Sequence, residues 1–87
     1  MGPNTIRALA VDHNHLMREG LALLVRMQPD MQLVGAAATA DEAVRMYVEH
    51  CPDVTLMDLD LRSDAALGAI HKVRARNPGA NIIGLST

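Results

Sequence analysis

Two aspartates each follow directly on a short apolar run: Asp12 after Ile6–Val11, and Asp58 after Val54–Met57. A further apolar run, Ile82–Leu85, leads into Ser86 and Thr87. Paired carboxylates with a hydroxyl can hold a hard divalent cation and a phosphoryl group. A carboxylate can also attack phosphorus itself and become an acyl phosphate. An Asp after an apolar strand is equally at home as a helix cap or turn former. His13 and His15 are further candidate ligands, His15 reading more simply as a surface residue. His50 and His71 are expected on outer helix faces, in solvent. Cys51 reads as a partly buried small residue at a helix end. Asp60 and Asp64 read as loop solubilisers near the mouth of the same cleft.

The elements decide whether these groups meet. Ile6–Val11 reads as a first strand, and Leu16–Met27 as a helix. Met17, Leu21 and Leu24 recur at helical spacing, and Gly20, Leu23 and Met27 widen the stripe. Gln28-Pro29-Asp30 stops that helix. Gln32–Ala37 is a second strand. Thr39-Ala40-Asp41-Glu42 is a capping box opening a second helix, with Ala43, Val44, Tyr47 and Val48 inward. Cys51-Pro52-Asp53 ends it. Val54–Met57 is continuously apolar, as a strand buried on both faces is. A loop from Asp58 to Asp64 leads to a third helix, about Ala65–Arg76, with Leu67, Ile70 and Val73 inward. Arg74 and Arg76 suit the dipole at its end. Asn77-Pro78-Gly79 breaks the chain before the fourth strand, Ile82–Leu85.

Strands alternating with helices imply one α/β domain, residues 1–87, with a parallel sheet and helices on both faces. In such sheets the working residues lie beyond the carboxyl ends of the strands. If strands one, three and four are neighbours, Asp12, Asp58 and Ser86 converge on one cleft.

Composition excludes several classes. The 87 residues carry a net charge of −2, with no clustered basic surface for nucleic acid. Tyr47 is the one aromatic residue, so no base-stacking platform exists. No apolar run approaches the ~20 residues needed to span a bilayer. The single cysteine excludes an internal disulfide and CxxC motifs. A cytoplasmic setting is the expectation.

Val11-Asp12-His13-Asn14-His15-Leu16-Met17-Arg18-Glu19-Gly20-Leu21 resembles the Val-Asp-Asp-His-x-Leu-x-Arg-Glu-Gly-Leu opening of response-regulator receiver domains. It is most similar to the NarL/LuxR-type subgroup, which is joined to helix-turn-helix output domains. Pro52-Asp53-Val54-Thr55-Leu56-Met57-Asp58-Leu59 is similar to the phosphoacceptor strand of that family, and Ile82-Ile83-Gly84-Leu85-Ser86 to its fourth strand. The resemblance covers nearly the whole chain. It implies a three-layer, flavodoxin-like (CheY-like) parallel sheet of order 2-1-3-4, stopping before the fifth strand of the family. It also implies that Asp58 is the phosphoacceptor, that Asp12 and Asp58 hold Mg²⁺, and that Ser86, with Thr87 beside it, follows the phosphoryl group. The implied partner is a histidine kinase or phosphotransfer protein, and the implied output a transcription regulator.

The departures from that family shape the expectation. A second acidic Mg²⁺ ligand would stand at position 13, where this chain has His13, so Mg²⁺ binding is expected to be weak. Arg62 and Ala66 replace a proline and a glycine of the loop after the phosphoacceptor. The family's fourth helix, fifth strand with its lysine, and fifth helix have no counterpart here. An exposed edge at the fourth strand and a homodimer through it are therefore expected. Two versions stay open: an active phosphoacceptor, and a pseudo-receiver that acts as an interaction module without phosphorylation. A rival enzyme reading takes Asp58-Leu59-Asp60 as the nucleophile motif of haloacid-dehalogenase-type phosphatases, with Asp60 as general acid. That family carries the motif on its first strand and needs a downstream lysine and acidic pair.

Overall fold

The computed structural model describes residues 5–58 and 63–85. The chain runs β1 (Ile6–Val11), α1 (His15–Arg26), β2 (Met31–Ala37), α2 (Ala40–His50), β3 (Val54–Asp58), α3 (Ser63–Arg76) and β4 (Ile82–Leu85). The four strands form one parallel sheet in the order β2-β1-β3-β4. This is the expected CheY-like flavodoxin topology.

Alternation along β1 and β3 divides the sheet into two faces. Leu9 and Val11 of β1 pair with Thr55 and Met57 of β3. Leu9, Val11 and Met57 pack with Ala43 and Tyr47 of α2 and with Ala66, Ala69 and Val73 of α3. This is the main core. The lone ring of Tyr47 is buried in it, and its hydroxyl accepts a hydrogen bond from Asn77 Nδ2 at 3.0 Å. Thr55 Oγ1 is buried there with no hydrogen-bond partner among the described residues. On the opposite face α1 packs on β1 and β2, burying Ala22 and Val25.

Local chemistry sets the element ends. Asn14 caps α1, its side chain accepting from Met17 N at 3.1 Å. Thr39 caps α2 as expected, accepting from Glu42 N at 3.1 Å, and its hydroxyl donates to Glu42 Oε1 at 3.4 Å. Helix α2 ends on Cys51 in the left-handed conformation (φ 46°), followed by Pro52. At the amino end of the sheet, Arg7 and Asp53 exchange two hydrogen bonds of 2.8 Å, one of them to the Asp53 carboxylate. The register of β1 on β2 shifts between Ala8 and Leu9, passing over Val34. Gly35 follows, where a Cβ would stand 3.2 Å from Met46 Sδ and 3.3 Å from Leu9 Cδ1.

Several packing expectations are corrected. On α1 the expected stripe is largely outside: Met17, Leu23, Leu24 and Met27 are exposed, and Gly20 with them, while Leu21 is half-buried. The apolar residues of that helix span a wide arc, and only the part carrying Leu21 and Val25 is turned inward. The buried positions of α1 are Ala22 and Val25. On α3, Ala66 and Ala69 are buried with Val73, and Leu67 is 65% exposed. Val48 lies at the exposed edge of α2. Cys51 is exposed because its left-handed backbone turns it out of the helix end. His50 is half-buried rather than on an outer face, lying beside Gly35. His71 is exposed as expected. Strand β4 pairs with β3 alone among the described strands, and Ile83 is 51% exposed.

Candidate functional site

The parallel register places the carboxyl ends of β1 and β3 side by side. Val11 pairs with Met57, so Asp12 and Asp58 emerge one step further on, at the same edge of the sheet. Both are 6% exposed. Asp12 is fixed at the backbone by its N–H donating to Ala37 O at 3.0 Å. Its Oδ1 accepts from Asn14 N at 2.9 Å, so the carboxylate also shapes the turn into α1.

His13 stands over this pair with its side chain 58% exposed. Its Nδ1 lies 3.0 Å from Asp58 Oδ2 and 3.9 Å from Asp12 Oδ1. A carboxylate accepts, so the ring donates from Nδ1 to Asp58 in this arrangement. One donor atom from each of Asp12, His13 and Asp58 lies within 4.8 Å of the others. These three residues form a group able to hold a metal ion. For Mg²⁺ the set is a poor match, because an imidazole nitrogen stands where that ion takes oxygen.

Two residues escape a reading of spacing alone. Arg18, one turn into α1, donates from Nη1 to Asp12 O at 2.9 Å and from Nη2 to His15 Nδ1 at 3.1 Å. It ties the end of β1 to the helix and holds the His15 ring at the start of α1. Asn14 orients Asp12 through its backbone and caps α1 through its side chain. Its signal in the sequence is an Asn placed just before a helical pattern. Ser86, Thr87, Asp60 and Arg62 lie outside the described residues, and so does the side chain of Asp64. Among the described residues no helix is long and apolar enough to cross a membrane.

Comparison with known proteins bears on this site. The family model for the response regulator receiver domain matches residues 8–87. The transcriptional regulatory protein YhcZ of Bacillus subtilis is 37% identical over 82 residues, covering 94% of this chain and 38% of that protein. LiaR of the same organism is 35% identical, covering 94% and 39%. The chain thus spans about two fifths of the length of these curated relatives. Among solved structures, a LuxR-family response regulator from Aurantimonas sp. superposes with a TM-score of 0.86 at 34% identity, covering 94% of this chain and 59% of that one. The response regulator domain of Thermotoga maritima CheB gives the same TM-score and identity, covering 94% and 60%. With the strand order, the paired aspartates and this match all in agreement, the chain belongs to the response regulator receiver domain family of two-component systems.

Proposed function

We propose that this chain receives a phosphoryl group on Asp58 from the phosphohistidine of a histidine kinase or phosphotransfer protein and passes the change to an output domain or partner. The observation that carries this reading is the Asp12–Asp58 pair at the ends of adjacent inner strands, buried but reached from the sheet edge. A carboxylate oxygen of Asp58 attacks phosphorus, and the donor imidazole leaves. The charge at this position goes from −1 on the carboxylate to about −2 on the acyl phosphate and must be accommodated beside Asp12, which is what gives phosphorylation its power to shift a nearby loop. Ser86 and Thr87 supply the hydroxyls that follow the phosphoryl group. The chain is a signalling domain and not itself an enzyme. It works in the cytoplasm, does not touch nucleic acid directly, and serves transcription regulation as its relatives' names describe for them.

A second version has its own support. His13 Nδ1 already occupies Asp58 Oδ2 at 3.0 Å, which favours a receiver acting as an interaction module without phosphorylation. In either version β4, which pairs with β3 alone among the described strands, supplies a homodimer surface. Ile83 is exposed on it, and no charge or proline interrupts Ile82–Leu85.

Intact mass after incubation with acetyl phosphate separates the two versions. A hydroxylamine-labile gain of one phosphoryl group, lost in Asp58→Asn, supports the phosphoacceptor. No gain in the wild type supports the interaction module. A gain that persists in Asp58→Asn places the chemistry elsewhere.

A further inference from the structure

We propose that Asp12, His13 and Asp58 form a binding site for a borderline divalent transition ion of the Zn²⁺ or Co²⁺ class, and that the site prefers such an ion to Mg²⁺. The donor set is one imidazole nitrogen and two carboxylate oxygens, all within 4.8 Å of one another. Ligands at about 2.0–2.2 Å from a tetrahedral ion lie roughly 3.3 Å apart. The two distances from His13 Nδ1, 3.0 Å and 3.9 Å, bracket that value. The three donor atoms therefore already lie near the spacing that such an ion requires.

The chemistry of the set chooses the ion. Imidazole suits Zn²⁺, Co²⁺ and their neighbours, whereas Mg²⁺ takes oxygen in a near-ideal octahedron. The ion takes the place of the proton that now bridges His13 Nδ1 and Asp58 Oδ2. The ring carries its proton on Nε2 instead, on the solvent side, and offers the Nδ1 lone pair. The supporting contacts are already made. Asn14 N holds Asp12 Oδ1 at 2.9 Å, and Arg18 holds the Asp12 carbonyl at 2.9 Å. Three protein ligands leave a fourth position open for water or an oxyanion, on the side where His13 meets solvent. The inference stands on the pocket alone and does not depend on whether Asp58 is ever phosphorylated.

Isotope-labelled protein titrated separately with Zn²⁺ and Mg²⁺, without any phosphodonor, tests the proposal. Exposed Cys51 is changed to Ser in all samples to remove a competing thiol. The expected result is Zn²⁺ binding at least about 100-fold tighter than Mg²⁺, with amide shifts centred on residues 12–14 and 58. Because His13 is largely exposed, His13→Asp should leave the fold intact and narrow the ratio by about ten-fold or more. Co²⁺ should show an absorption spectrum with a nitrogen ligand in the parent and lose that signature in His13→Asp. Equal affinities for Zn²⁺ and Mg²⁺, a ratio untouched by His13→Asp, or Zn²⁺ shifts centred on His15, His50 or His71 would each overturn it.

Discussion

His13 Nδ1 lies 3.0 Å from Asp58 Oδ2, so the imidazole holds one oxygen of the carboxylate proposed as nucleophile. Attack from that oxygen requires the bond to break. A hydrogen bond to a charged group is worth about 1.5 kcal/mol or more, close to a factor of ten. Labelling of Asp58 by acetyl phosphate in Mg²⁺ buffer should therefore be about ten-fold faster in His13→Ala, which removes the bond without adding a carboxylate, than in the wild type. Time courses of intact mass measure this, and equal rates would refute it.

Asp12 and Asp58 are like charges, both buried, at the ends of neighbouring strands. Asp12→Asn removes one charge and keeps a side-chain oxygen for Asn14 N. The variant should be more stable than the wild type by about 1 kcal/mol at neutral pH and low salt. Urea midpoints without added metal read this. A loss of stability would mean that the Asp12 charge is compensated within the fold.

Thr55 Oγ1 is buried among the core side chains with no hydrogen-bond partner among the described residues. Thr55→Val replaces it with a methyl group of the same shape. Stability should rise by about 1–2 kcal/mol, with an unchanged denaturant slope. An unchanged or lower midpoint would indicate that the hydroxyl is satisfied in solution.

Gly35 is closely approached by two side chains. An added Cβ would meet Met46 Sδ at 3.2 Å and Leu9 Cδ1 at 3.3 Å. Gly35→Ala should cost about 1–2 kcal/mol. The flexible Met46 can be cut back, so Gly35→Ala with Met46→Ala should cost less than the sum of the two single changes. Strict additivity would show that Met46 already yields.

The β4 edge makes the proposed self-association testable. Sedimentation equilibrium at tens of micromolar should show dimers of this 87-residue chain. Ile83→Lys should return a monomer, because a charge at this exposed strand position opposes pairing. A monomeric wild type would remove the edge from the proposal.

Parts of this picture are legible in the sequence for clear reasons. β1 and β4 are bounded as their apolar runs suggest, because polar and turn-forming residues stop both runs. Asp12 and Asp58 are found together because each directly follows an inner parallel strand, and the chain order of the elements places those strands side by side. The inward faces of α1 and α3 are less legible. The large apolar residues of α1 span a wide arc, and on α3 one of only three, Leu67, is left outside while Ala66 and Ala69 are buried with Val73. The His13–Asp58 bond is the least legible of all. It depends on one side-chain rotation across 45 residues of sequence, which no pattern of residue types encodes.

The central position of β1 has a consequence for hydrogen exchange. Ala8, Leu9, Ala10 and Val11 have no exposed surface, and the strand is bonded to β2 on one side and β3 on the other. Their amides can meet solvent only when the sheet comes apart as a whole, so their protection reports the global free energy. Among the described strands Ile82–Leu85 is bonded to β3 alone, and in this 87-residue chain it should exchange faster. Asp12 and Asp58 are carried by the slowly exchanging inner strands. Local opening at β4 therefore leaves the two carboxylates in register, and the pocket keeps its shape for as long as the chain stays folded.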